Sequence, residues 1–167
     1  MITWNNNRFT LIKGWANSVI SNDIHSEFVN NCELIRNCDE FLTAVGNHPV
    51  EQFIENYKIN LISIAKQLNS DINDYEYAIN CFKHGDGIDV HNDFYENTQH
   101  QIRGIIWINP SSVEGTTVYN EERGKPIGML GGDPGDLLIF ESNEDSFHSA
   151  INNMLIDRYT VNFTFSV

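Results

Sequence analysis

From residue 75 onward the sequence breaks into short apolar segments separated by Gly, Pro and Asn, and this segmentation restricts the fold more than any other feature. Candidate strands fall at 75–82, 88–93, 102–109, 115–119, 127–130, 136–141, 146–151 and 157–166. Short strands with turn residues between them are the pattern of a sandwich or jelly roll. The last is the clearest: Arg158, Thr160, Asn162 and Thr164 alternate with Tyr159, Val161, Phe163 and Phe165. Its polar face suits the lining of a cavity, and its apolar face suits a position beneath helices. Gly131-Gly132-Asp133-Pro134-Gly135 lacks a following Lys-Ser or Lys-Thr, so it reads as a turn and not as a phosphate loop.

Before residue 70 the spacing becomes helical. Ser21 or Asn22 is placed to cap a helix carrying Ile24, Phe28, Val29 and Cys32. After Gly46, Pro49 suits the first turn of a second helix, in which Phe53, Ile54, Tyr57, Leu61, Ile64, Ala65 and Leu68 form one apolar stripe. The expected architecture is a single domain over 1–167, α+β but mainly β. A jelly-roll core spans 75–167, and a mainly helical segment over 1–70 packs on one sheet.

Composition narrows the function classes. A chain of 167 residues that is 41% apolar suits one globular domain. Its net charge of −13 disfavours nucleic-acid phosphates as partners. No apolar run approaches the roughly 18 residues of a membrane span. Met1-Ile2-Thr3-Trp4-Asn5 is not a basic segment leading into an apolar run, so no secretory signal is expected. Cys32, Cys38 and Cys81 form no CxxC and read as reduced thiols, which agrees with a cytoplasmic location. The sequence says nothing of oligomeric state.

His91 and Asp93 stand at i and i+2 of an expected strand, where side chains share a face about 6.5–7 Å apart. Both can converge on one ion, with His148 joining from another strand. Two imidazoles and one carboxylate hold Fe(II) on one face and leave the other for a co-substrate and O2. Alone, a His-x-Asp pair arises by chance and reads equally as a surface pair beside a turn. The downstream context is more specific. Phe147-His148-Ser149-Ala150 follows an apolar strand, and Asn152-Asn153 offers a hairpin turn that would set His148 and Arg158 on neighbouring strands. Arg158 falls on the polar face of the last strand with Thr160, and no acid shares that face, so a buried guanidinium there calls for an anion.

Taken with Ile105-Ile106-Trp107-Ile108-Asn109, Glu114-Gly115-Thr116-Thr117-Val118-Tyr119 and Gly135-Asp136-Leu137-Leu138-Ile139-Phe140, these residues resemble the Fe(II)- and 2-oxoglutarate-dependent dioxygenases. The similarity is greatest to the prolyl 4-hydroxylase-like group, over about residues 75–167, in the family's order and spacing. The resemblance implies a double-stranded β-helix with His91, Asp93 and His148 as iron ligands. It implies that Arg158 pairs with the distal carboxylate of 2-oxoglutarate, assisted by Thr160. The implied reaction consumes O2 and 2-oxoglutarate, hydroxylates a C–H bond, and releases succinate and CO2. The substrate would be a prolyl or other residue of a peptide or protein, or a small molecule.

The chain departs from the family in two places. Trp107 stands where these enzymes often carry a tyrosine that binds the co-substrate. Phe82 stands near the place of an aromatic that often precedes the first ligand. Both are expected in the co-substrate pocket, with plain core packing as the other reading. His100 and Arg103 are candidates for substrate contact, whereas His25, His48 and His84 read as surface or capping residues. Segments 94–101, 120–125 and 141–145 should rim the site, and their acids favour a neutral or basic substrate. Two other readings stand beside this one: a jelly-roll binding or sensing protein without turnover, and a cupin-type metalloenzyme that uses no 2-oxoglutarate.

Overall fold

The structure, a computed structural model, describes residues 2–5, 8–36, 40–45, 51–94, 101–121 and 124–166. The first part of the chain forms β1 (Ile2–Asn5), β2 (Phe9–Ile12), α1 (Ser18–Asn31), β3 (Glu33–Arg36), β4 (Leu42–Val45), α2 (Glu51–Glu55) and α3 (Lys58–Ala65). Among the described residues, only strands then follow: β5 (Asp74–Phe82), β6 (Gly87–His91), β7 (Gln101–Trp107), β8 (Thr116–Tyr119), β9 (Pro126–Leu130), β10 (Leu137–Ser142), β11 (His148–Ile151) and β12 (Arg158–Ser166). The eight strands expected from the turn residues all form, with every boundary within two residues of expectation.

The chain is mostly β, in two antiparallel sheets consistent with a jelly roll. The larger has eight strands in the order β1-β2-β10-β7-β12-β5-β4-β3, and the smaller has four in the order β6-β11-β8-β9. β12 is central to the larger sheet, paired along its whole length with β5 and along most of it with β7. Its alternation does what the sequence suggests. Tyr159, Val161, Phe163 and Phe165 join a core with Ile24 and Phe28 of α1, Ile54 of α2, and Leu61 and Ala65 of α3. Burying each such large apolar side chain contributes about 1.5–3 kcal/mol. A second core lies around Phe9, Trp107, Val118, Leu138 and Phe140, drawn from both sheets.

The first 70 residues differ from the expectation of a mainly helical segment, because β1 to β4 lie there and extend the larger sheet at both ends. Four-residue strands leave too few positions for a period to be read. β2 is buried at every position and β3 is largely exposed, so neither alternates. The first helix also begins earlier than expected: Asn17 is its N-cap, accepting from the Ile20 N–H at 3.0 Å, and Ser21 is buried within it. The second expected helix is two short ones. It breaks where the Tyr57 N–H donates to the Ile54 carbonyl at 2.9 Å, closing a tight turn. Gly46, His48, Pro49, Cys38 and His100 lie outside the described residues. Among those described, no helix is long and apolar enough to cross a membrane.

Candidate metal centre

β6 and β11 are neighbours in the smaller sheet, and their register sets His148 directly opposite His91. The ring centroids are 4.3 Å apart. Asp93 is not on β6, which ends at His91. It lies in the segment that follows, with φ +23°, a left-handed conformation that an L residue adopts only against steric resistance. Turned backbone, and not the two-residue strand spacing expected from sequence, therefore returns its carboxylate to His91. Asp93 Oδ1 lies 3.4 Å from His91 Nε2, and Oδ2 lies 3.6 Å from His148 Nε2. The three ligand atoms all fall within 4.8 Å of one another, a span one ion with bonds of about 2.0–2.2 Å can bridge.

The imidazoles are oriented for this. His91 Nδ1 is 2.8 Å from the Asp89 carbonyl, and His148 Nδ1 is 2.9 Å from the Ser146 carbonyl. A carbonyl only accepts, so each Nδ1 carries the proton and each Nε2 presents its lone pair inward. Burial pushes the His148 pKa down to about 4, which keeps that ring neutral. Burial opposes ionisation of Asp93, but its hydrogen bond with His91 and the positive charges around it hold its pKa below the usual carboxylate value. His91 is likewise disfavoured as a cation by burial, yet its hydrogen bonds to Asp93 and the Asp89 carbonyl, with the negative charges of Asp93 and Glu40, together outweigh this and raise its pKa.

Arg158 opens β12 opposite Phe82. Since β11 and β12 belong to different sheets, His148 and Arg158 are not on neighbouring strands, contrary to the hairpin expected at Asn152-Asn153. Asn152 instead ties a crossing between the sheets, donating from Nδ2 to the carbonyls of Phe82 at 2.8 Å and Ile156 at 2.9 Å. Both residues still line one cavity of about 200 Å³ between the sheets, with His91 and Asp93.

Arg158 is only 1% exposed. Its guanidinium carbon stands 5.0 Å from the centre of the Phe82 ring and 5.8 Å from that of Trp107. One nitrogen donates to Thr116 Oγ1 at 3.4 Å, while Nε and the other terminal nitrogen are buried without partners. No carboxylate among the described residues pairs with it. Burial pushes its pKa down to about 10, with Glu114 opposing the shift. Thr160 Oγ1 is also buried and unpartnered. A desolvated guanidinium with unused donors beside a free hydroxyl fits a planar carboxylate, so the residues present suit an acid such as 2-oxoglutarate.

Other candidates separate clearly. Phe82 and Thr160 line the cavity and Trp107 does not. The Trp107 indole N–H donates to the Glu114 carbonyl at 3.3 Å, so it is not free for a co-substrate, and the ring serves as a face beneath Arg158. His25 lies inside α1 and so is not a cap; it is half-buried, with its ring packed edge-on to Tyr159 at 5.0 Å. His84 is exposed, as expected. Arg103 lines the cavity. Sequence reasoning missed Thr116, which meets Arg158, and Phe41, which lines the cavity and packs at a tilt against Phe82, ring centres 5.2 Å apart. Neither carries a local signal, because Thr116 reaches the site through packing of one sheet on the other and Phe41 through the pairing of β4 with β5.

No family model and no curated protein matches the chain. Solved structures match its fold. A Pseudomonas putida prolyl-4-hydroxylase covers 95% of this chain and 92% of its own, with TM-score 0.73 and 11% identity. A prolyl hydroxylase from Trichoplax adhaerens, in complex with a hypoxia inducible factor oxygen degradation domain peptide fragment, covers 96% of this chain and 84% of its own, with TM-score 0.76 and 15% identity. A viral collagen prolyl hydroxylase from Paramecium Bursaria Chlorella virus-1, in a 2OG complex, covers 97% and 98%, with TM-score 0.69 and 10% identity. The chain thus has the fold of prolyl hydroxylases and related 2-oxoglutarate-dependent oxygenases.

Proposed function

We propose that this protein is an Fe(II)- and 2-oxoglutarate-dependent oxygenase that hydroxylates a C–H bond and releases succinate and CO2. The observation that carries this reading is the presence, in one cavity, of a His-Asp-His donor set and a buried arginine with unused donors. His91, Asp93 and His148 would hold the iron. Arg158 and Thr160 would take the distal carboxylate of the co-substrate. Bound iron, with 2-oxoglutarate and O2, supplies the oxidising power that no side chain has.

The chain's own residues bind, orient and exclude water. Carbonyls of Asp89 and Ser146 fix the two imidazoles so that Nε2 faces the ion. Phe82 and Trp107 hold the guanidinium between aromatic faces, where it cannot turn to solvent. Burial of His148 and Arg158 keeps bulk water from the reacting group. The substrate in this reading is a residue of a peptide or protein, a prolyl group by analogy with the Trichoplax complex, or a small molecule. Fold alone does not choose among them. Free thiols at Cys32 and Cys81 suit a reducing compartment such as the cytoplasm.

Anaerobic addition of Fe(II) and 2-oxoglutarate tests the reading. A weak visible charge-transfer band should appear, vanish in His148→Ala, and need far more 2-oxoglutarate in Arg158→Ala. Saturating ligand with no band would sink the assignment.

A further inference from the structure

Arg158 is not the only guanidinium in the cavity. Arg103, on β7, also lines it, and its register partner on β12 is Thr164, six residues beyond Arg158 on the same polar face. The Thr164 hydroxyl accepts a hydrogen bond from one terminal nitrogen of Arg103. Its Nε is buried without a hydrogen-bond partner. The carboxylate it faces, Asp93, lies 3.8 Å from that nitrogen, beyond hydrogen-bond range.

Charge then limits what can fill the remaining space. The cavity holds two guanidinium groups against one carboxylate, together with two imidazoles. A divalent ion and a dianionic co-substrate cancel one another, and Asp93 directs its charge to the ion, so one positive charge stays unmatched. The Arg103 side chain keeps 22% of its surface exposed, so its charge is only partly desolvated, and its buried Nε is the donor left without a hydrogen-bond partner. The acids of the rim favour a neutral or basic substrate, but the charge inside the cavity runs the other way, in a protein whose net charge is −13.

We propose that Arg103 is the substrate-side anchor of this cavity and that the substrate presents a free carboxylate to it, as a small carboxylic acid does. The inference rests on the iron and 2-oxoglutarate reading above and specifies the substrate class of that same site. Nε and a terminal nitrogen of Arg103 would form the fork that meets the carboxylate, while Thr164 positions the guanidinium. An internal peptide segment has no such group, so it would leave the buried Nε of Arg103 with only the 3.8 Å ion-pair contact to Asp93 and no hydrogen bond.

The test uses the full chain loaded to saturation with Mn(II) and 2-oxoglutarate, which bind without turning over. Thermal midpoints are then read against a panel of amino acids and short aliphatic acids, each paired with its own carboxamide. At least one acid should half-saturate at roughly tenfold lower concentration than its amide, the scale of a charge-assisted pair. Arg103→Gln, loaded by its own titration, should bring acid and amide within about threefold. Arg103→Lys, which keeps the charge and loses the fork, should fall between, and it serves alone where the Gln variant does not fold. Acid and amide acting alike across the panel, or a preference that survives in the variants, overturns the proposal. Failure of the wild type to take up Mn(II) and 2-oxoglutarate would instead overturn the reading of the site itself.

Discussion

His91 and His148 face one another across the β6–β11 ladder, and each is held by a carbonyl two residues before it in the chain. The arrangement is set by backbone register and two backbone acceptors, so it exists before any ion binds. Preformed ligands should give tight divalent binding, and loss of either should be severe. His91→Ala and His148→Ala are each expected to weaken Mn(II) or Co(II) binding by roughly a hundredfold or more, above the 10–100-fold typical of second-layer changes. His84→Ala, an exposed ring in the turn after β5, should leave the titration unchanged. Calorimetric titration decides, and comparable losses in all three variants would refute the assigned ligands.

Arg158 sets binding against stability. Desolvating its charge is unfavourable by several kcal/mol. The compensation is one long 3.4 Å hydrogen bond to Thr116 and two aromatic faces, worth about 1–2 kcal/mol each. Desolvation wins by this comparison, in line with a pKa pushed down to about 10. Arg158→Met should therefore raise the thermal midpoint of the ligand-free protein, by at least about 2 °C. The wild type should in turn gain about 2.7 kcal/mol from 2-oxoglutarate at a hundred times its dissociation constant, and the variant nothing. A lower midpoint in the Met variant would mean that the neighbours already satisfy the charge.

Trp107 carries the floor beneath Arg158, and Gly131 is what leaves it room. A Cβ built on Gly131 would overlap the indole carbons, and its φ of +77° adds backbone strain to any side chain. Gly131→Ala should lose about 2–4 kcal/mol, combining overpacking with left-handed strain. Gly128→Ala on β9, where nothing lies within 4 Å, should stay within about 0.5 kcal/mol. Urea midpoints measure both. Equal effects would show that the indole can move aside freely.

The sequence made the strand core and the metal ligands legible for different reasons. β12 was readable because nine residues give several turns of a two-residue period, long enough for Arg158 to fall unambiguously on the polar face. β1 to β4 have four residues each, too few to show a period, whereas the equally short β8 and β11 were legible from the turn residues around them. His91 and Asp93 were found, but for the wrong geometric reason, since a left-handed φ at Asp93 leaves no mark on residue type. Sequence places Trp107 in the co-substrate pocket or the core without choosing between them, because it cannot show that the Glu114 carbonyl already takes its N–H. Thr116 and Phe41 stayed invisible because tertiary structure, and not local pattern, brings them to Arg158 and Phe82: Thr116 by the packing of the smaller sheet on the larger, and Phe41 by the pairing of β4 with β5.

His25 predicts how stability depends on pH. Its ring packs against Tyr159 between α1 and the larger sheet, and burial lowers its pKa from the ordinary value of 6.5. Between the lowered folded value and the unfolded value, the unfolded chain binds more protons. Stability therefore rises with pH across that window and is lost as pH falls below about 6.5. His148 shifts in the same direction, so the total slope cannot be assigned to one ring. A difference between two chains can be. His25→Phe keeps an aromatic edge against Tyr159 and removes the titrating group, while His148 remains in both. Denaturant midpoints taken from about pH 7.5 down to 5.5 should show the variant gaining steadily on the wild type. A difference that stays flat over this range would show that the His25 ring takes up its proton in the folded protein as easily as in the unfolded chain.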